Sequence, residues 1–127
     1  MSDIKKLTRK INKFVEERDW KQFHNHKDMA LSLVLEAVEV LEHFQWKASI
    51  KDINKHAKHK KSDIADELAD VAIYLFELAD NLGIDIAEAV DTKLKKNSAK
   101  YPVNKARGSA KKYTELFLIL LKFQKNC

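Results

Sequence analysis

Two glycines and one proline in 127 residues leave few of the residues that tight turns require. An all-β chain needs many such turns, whereas helices need neither residue, so composition points to an all-α fold. The one cysteine, Cys127, stands last, which leaves no intrachain disulfide and no Cys-based zinc spacing. No apolar stretch follows the amino terminus, so no secretory leader is expected. The longest uninterrupted apolar run, Leu116 to Leu121, falls far short of the ~20 residues of a membrane span. These absences together lead us to expect a cytoplasmic protein with no membrane association.

What is present is a chain of single-domain length with 45% hydrophobic residues, enough for a core. The net charge is +5, and it is unevenly placed. From Lys93 to Lys112 there are eight Lys or Arg and no acid. Such a block attracts polyanions, either nucleotide phosphates or nucleic acid, although a solvated basic face is the commoner meaning. No helix-turn-helix or zinc-finger pattern accompanies it, so nucleic acid is not the expected partner.

Four helical patterns stand out. The first spans about Asp3 to Glu17, with Ile4, Leu7, Ile11, Phe14 and Val15 on one stripe. Arg18 to Lys27 breaks the pattern as an aromatic-rich loop. The second helix is expected from Asp28, as N-cap, to about Trp46. Lys47 to Lys61 reads as an exposed basic connection that could hold a helical turn. The third helix opens at Ser62 or Asp63 and ends at Gly83, a natural C′ residue. The fourth follows Asp85 and runs to about Tyr101, where Pro102 stops it. Ala106 to Lys112 reads as an extended or loop segment. Residues 115 to 125 could add a short apolar helix.

The third helix carries an anomaly. Apolar residues cover most of its circumference, as in a buried helix. Yet Glu67, Asp70, Tyr74, Glu77 and Asn81 recur at offsets of 3, 4, 3 and 4, forming a thin polar stripe. The second helix repeats the pattern with Glu36, Glu39 and His43 among Leu35, Val38, Val40 and Leu41. Residues three apart share a helix face, so two acidic pairs on packed helices would converge four carboxylates. Charges that close need compensation, and a hard divalent cation supplies it through oxygen ligands. One such pair alone would be read as ordinary surface acids. On the fourth helix, Lys93, Lys96, Asn97 and Lys100 form an arc that can face an anion.

With these residues in view, Glu36-Ala-Val-Glu39 followed by Glu67-Leu-Ala-Asp70 resembles the ExxE…ExxD pattern of MazG-like nucleotide pyrophosphohydrolases. It is similar to the single-domain branch that includes the dCTP pyrophosphatases. Glu17-Arg-Asp-Trp-Lys-Gln-Phe-His24, Glu42-His-Phe-Gln-Trp46 and Asp66-Glu-Leu-Ala-Asp-Val-Ala-Ile-Tyr-Leu75 carry the resemblance. So do Lys96-Asn-Ser-Ala-Lys-Tyr-Pro102 and Ala106-Arg-Gly-Ser-Ala-Lys-Lys-Tyr-Thr-Glu-Leu116. The resemblance implies an antiparallel four-helix bundle of the MazG type over residues 1–114, with residues 115–127 an apolar extension of unknown role.

It also implies Mg²⁺-dependent hydrolysis of nucleoside triphosphates to the monophosphate and pyrophosphate, with Mn²⁺ as a substitute ion. Glu36, Glu39, Glu67 and Asp70 would hold the metal, and Glu39 and Glu42 would serve catalysis. Trp20, Phe23, His24, Trp46 and Tyr74 match the base and sugar pocket, although Trp20 and Trp46 taken alone would be read as core packing. Lys93, Asn97, Lys100 and Tyr101 match the phosphate-side residues, and Arg107 and Lys112 the C-terminal segment that reaches the phosphates. So much apolar helix on so short a chain further predicts a homodimer or homotetramer. The competing readings are a nucleic-acid-binding helical module, a di-iron carboxylate bundle and a purely structural dimerisation bundle.

Overall fold

The structure is a computed structural model that describes residues 2–116. Among the described residues there is no β-strand. The chain folds as helices α1 (Asp3–Glu17), α2 (His26–Glu42), α3 (Ile50–His59), α4 (Lys61–Asn81), α5 (Ile86–Lys100) and α6 (Val103–Ala106). They fall in two compact units, one ending at Ile86 and the other beginning at Ala87.

In the first unit, α4 is the central helix and packs against α2, α1 and α3. Its pairings give the direction. Asn81 donates to the Met29 sulfur at 3.2 Å, while Glu36 faces Asp70 and Glu39 faces Glu67, so α2 and α4 run antiparallel. Lys5 pairs with Asp85 at 3.9 Å and Asn12 donates to Asp80 at 2.9 Å, which sets α1 antiparallel to the same part of the chain. Val15, Met29 and Ala79 are the buried apolar residues of this unit. Full burial of Met29 contributes on the order of 1.5–3 kcal/mol.

Both α1 and α4 end in the same way. The Trp20 N–H donates to the Val15 carbonyl (3.1 Å) and the Asp19 N–H to that of Glu16 (3.0 Å), with Asp19 at φ 52°. The Ile84 N–H donates to Ala79 (2.8 Å) and the Gly83 N–H to Asp80 (2.9 Å), with Gly83 at φ +69°. This double closure satisfies the last carbonyls and reverses the chain in a left-handed residue, which Gly and Asp tolerate best. For α1 it ties Trp20 to buried Val15 and so places the aromatic loop.

Several boundaries differ from the sequence reading. α2 begins at His26, because Asn25 caps it reciprocally: its Oδ1 accepts from the Asp28 N–H (2.9 Å) and its Nδ2 donates to the Asp28 carboxylate (2.7 Å). Asp28 is thus inside the first turn rather than the cap. α2 also stops at Glu42, and turns carry the chain on to Trp46.

The basic connection is a ten-residue helix, α3. Ser49 caps it by accepting from the Asp52 N–H at 3.1 Å, and Ile53, His56 and Ala57 form its half-buried side. The abundance of Lys and His hid that cap signal. α4 follows α3 directly, one residue before the expected start at Ser62 or Asp63.

In the second unit, α5 ends at Lys100, and Pro102 caps the short α6. Residues 109–112 have no regular structure, and residues 113–116 are helical. The rest of the expected apolar helix, and the extension from residue 117 onward, lie outside the described residues.

The expectation that α2 and α4 are buried all round does not hold within one chain. Leu31, Val34, Leu35, Val38 and Leu41 on α2, and Leu68 and Ile73 on α4, are exposed. The apolar arc of α2 is wider than α4 alone can cover. No described helix is long and apolar enough to cross a membrane.

Candidate active site

Antiparallel packing of α2 on α4 brings Glu36, Glu67 and Asp70 together, with one oxygen from each lying within 4.8 Å of the others. All three are half-buried. Glu39 stands beside both Glu36 and Glu67 and raises both of their carboxyls. Oε2 of Glu36 is shielded from solvent and has no hydrogen-bond partner.

The cluster perturbs its own protonation. Burial first, and then the charges of Glu39 and Asp70, push the Glu36 carboxyl up. Glu67 is pushed up to about 7, chiefly by its hydrogen bond to Glu39, then by burial and by the surrounding carboxylates. A shielded, unpartnered carboxylate oxygen amid like charges fits a cation site. The donor set is all oxygen, which fits a hard divalent ion. No histidine belongs to this group of three, unlike the Glu-x-x-His pairs of a di-iron bundle.

Beside the cluster lies a cleft of about 360 Å³, lined by Glu39, Glu42, His43, Trp46, Lys47, His56 and Glu67. Its size is in the range of small-molecule sites. Glu42 sits on this cleft rather than in the cluster. Trp46 is 86% exposed, so within the chain it is not a core residue. Its position past the end of α2 is the reason, since no described helix of this unit covers it there.

The aromatic loop supplies a second group. Trp20 meets Phe14 edge-on at 5.6 Å and lies 6.5 Å from the ring of His24. Phe23 is exposed. Tyr74 is half-buried on α4, one turn beyond Asp70. His24 Nδ1 is 2.6 Å from Oε1 of Glu77, a carboxylate only 2% exposed.

Glu77 was read from sequence only as part of a polar stripe. Its offset of seven from Asp70, two helical turns on one face, was the available signal. His43 stands in the acidic arc of α2, whereas Lys47 and His56 fall in the stretch read as an exposed connection and carry no motif of their own. Replacing Glu77 by alanine is expected to destabilise the fold by about 2 kcal/mol, because His24 loses its buried acceptor. The midpoint of urea denaturation measures this, and Glu77→Gln should lose less.

The remaining site candidates lie in the second unit. Lys93, Asn97 and Lys100 are on α5, with Asn97 half-buried and the two lysines exposed. Tyr101 meets Tyr113 edge-on at 6.0 Å, and the Lys100 ammonium lies 5.0 Å from the centre of the Tyr113 ring. Arg107 follows α6 and is exposed. The Lys112 N–H donates to the Glu115 carboxylate at 3.2 Å.

An antiparallel helical frame with clustered carboxylates beside an aromatic-edged cleft defines an all-α protein of the carboxylate-site type. Comparison with known proteins makes this specific. The model of the MazG-like family matches residues 31–116. dCTP pyrophosphatase 1 of Rattus norvegicus is 40% identical over 117 residues, which span 91% of this chain and 67% of the relative. The Homo sapiens protein of the same name is 38% identical over the same shares. The crystal structure of a pyrophosphatase from Archaeoglobus fulgidus superposes with a TM-score of 0.77 at 35% identity, covering 80% of this chain and 94% of that one. The chain belongs to the MazG-like family, and its fold is the all-helical fold of that pyrophosphatase.

Proposed function

We propose that this MazG-like enzyme hydrolyses deoxynucleoside or nucleoside triphosphates to the monophosphate and pyrophosphate with Mg²⁺. dCTP-like or other dNTP substrates are favoured, and the role is nucleotide pool control or removal of unwanted nucleotides. The observation that carries this reading is the meeting of Glu36, Glu67 and Asp70 within 4.8 Å, beside a cleft of small-molecule size. The names of the mammalian relatives support the choice of substrate.

Glu36, Glu39, Glu67 and Asp70 are assigned as metal ligands, with Mn²⁺ as a substitute for Mg²⁺. When bound, the ion would supply Lewis-acid polarisation of the phosphate and acidify a water. Glu42, on the cleft wall, orients the attacking water and accepts its proton. A bond forms between that water's oxygen and the α-phosphorus. The bond from this phosphorus to the bridging oxygen breaks, and its electron pair leaves with pyrophosphate.

Trp20, Phe23, His24, Trp46 and Tyr74 are assigned to base and sugar. Exposed rings such as Trp46 are free to stack on a base. Lys93, Asn97, Lys100 and Tyr101 are assigned to the phosphate side by family match, and Arg107 and Lys112 to the C-terminal segment that reaches the phosphates, from the same chain or a neighbouring subunit. We further assign a homodimer or homotetramer. The exposed Leu31, Val34, Leu35, Val38 and Leu41 on one helix support it, since monomers seldom leave so contiguous an apolar face in water.

A panel of canonical and modified NTPs and dNTPs with Mg²⁺, resolved by ion-exchange chromatography, tests the reaction. Equal amounts of monophosphate and pyrophosphate are expected. No turnover on any nucleotide, or orthophosphate as the first product, removes the reading.

A further inference from the structure

A second cleft, of about 380 Å³, lies against the candidate active site and is lined by Trp46, Lys47, Asp52, Lys55, His56 and His59. It shares Trp46, Lys47 and His56 with the carboxylate cleft, so the two are neighbours with a common wall. Their chemistry is opposite in sign. The first presents Glu39, Glu42 and Glu67, whereas the second presents two lysines and two histidines against a single acid. Asp52 belongs to the first turn of α3, where its N–H is held by the Ser49 cap.

The two ammonium groups are available. Among the described residues, neither Lys47 nor Lys55 is ion-paired with an acid, whereas Lys60 is engaged by Asp63 at 3.6 Å. The His56 ring is held against His43 (centroids 5.7 Å) and edge-on to Phe44 (5.9 Å). Its Nε2 is shielded from water and has no hydrogen-bond partner. Burial, then the charges of Lys47, His43, Lys60 and His59, hold its basicity below that of an ordinary histidine. Such a nitrogen lacks only an anion or a hydroxyl to complete it.

We propose that the α3 cleft is a diphosphate subsite: Lys47, Lys55, His56 and His59 hold the β- and γ-phosphates of the substrate and keep them as departing pyrophosphate. The inference deepens the hydrolytic reading and rests on it. If the α-phosphorus is attacked beside the carboxylates, negative charge builds on the bridging oxygen and leaves with the diphosphate. A cationic cleft sharing a wall with the carboxylate cleft is where that charge is best met. Flexible ammonium groups suit a ligand of tetrahedral phosphates that must later be released. The residues concerned fall between Trp46 and Asp66, outside the motifs on which the family resemblance rests.

The test measures the affinity of inorganic pyrophosphate for the full chain by calorimetry without divalent metal, alongside nucleotide turnover with Mg²⁺. Lys55 and His59 line only the second cleft, so Lys55→Gln/His59→Gln is the variant of choice. It should weaken pyrophosphate binding roughly tenfold or more, with helix content by circular dichroism unchanged. Lys58→Gln, which removes a positive charge from the same helix outside both clefts, should leave affinity within about twofold.

Wild-type protein that fails to bind pyrophosphate overturns the subsite. So does a double variant that binds as tightly as wild type, or a Lys58→Gln loss as large as that of the double variant. Turnover separates the two ideas. An active enzyme whose pyrophosphate affinity ignores Lys55 and His59 loses the subsite alone. A chain that hydrolyses no nucleotide loses the reaction, while a Lys55- and His59-dependent affinity would still support the anion site.

Discussion

Replacing Glu67 by alanine is expected to lower pyrophosphate release about a thousandfold or more while leaving the protein at least as heat-stable as wild type. The two halves of this result have one cause. Lewis-acid stabilisation by a bound ion is worth several kcal/mol, and each 1.36 kcal/mol is tenfold in rate. A ligand that holds the ion is therefore a large kinetic loss. In the metal-free fold, however, Glu67 stands among Glu36, Glu39 and Asp70 and is pushed up to about 7. Removing it relieves repulsion where the carboxylates are ionised, which offsets the loss of its hydrogen bond to Glu39. In a purely structural bundle the same substitution would be harmless or even stabilising, with no selective loss of turnover. Circular dichroism melts and single-turnover assays on the same sample decide between these outcomes. Asp70→Ala should follow the same pattern.

The second large effect is a stability that falls as pH rises, reversed by divalent metal. The Glu67 carboxyl has a reference value of 4.5, rises to about 7 in the fold, and Glu36 is raised in the same direction. Between these limits the folded chain binds more protons than the unfolded one, so unfolding free energy decreases with pH. The stability tied to these protons is fully present below about pH 4.5 and is lost as pH rises through about 7. Melting temperature in EDTA should thus decline from pH 5 to pH 8. Metal requires the ionised ligands, so added Mg²⁺ should raise it more at pH 8 than at pH 5.5. A melting temperature in EDTA that is flat over this range, or an equal Mg²⁺ increment at both ends, would show that the carboxylates are not packed as described.

Much of the fold could be read from the chain. Amphipathic spacing located α1 at Asp3–Glu17, Gly83 marked the end of α4, and Pro102 marked the end of α5. These features are legible because they are local. A helical stripe, a left-handed glycine and a proline act within one or two turns of themselves. α3 was missed for a related reason, since its apolar face rests on few residues and its Ser49–Asp52 cap is a weak signal among so many lysines. The capping role of Asn25 was lost to Asp28, because either residue type can cap and only the reciprocal hydrogen bonds choose between them.

The acidic pairs, the polar stripe of α4 and the family motifs were determined by the sequence alone. Each is a statement about residues a turn or two apart, or about a resemblance in order and spacing. The tertiary structure alone decided which carboxylates meet, that Glu77 is buried against His24, and that the histidines and lysines of α3 form a cleft sharing a wall with the acidic one. It alone also showed that the apolar face of α2 is left uncovered. Contacts of this kind join residues tens of positions apart, and they depend on the direction and register of packed helices. Side-chain spacing along one helix carries no record of its neighbour's register, so burial and proximity between helices emerge only when the chain is folded.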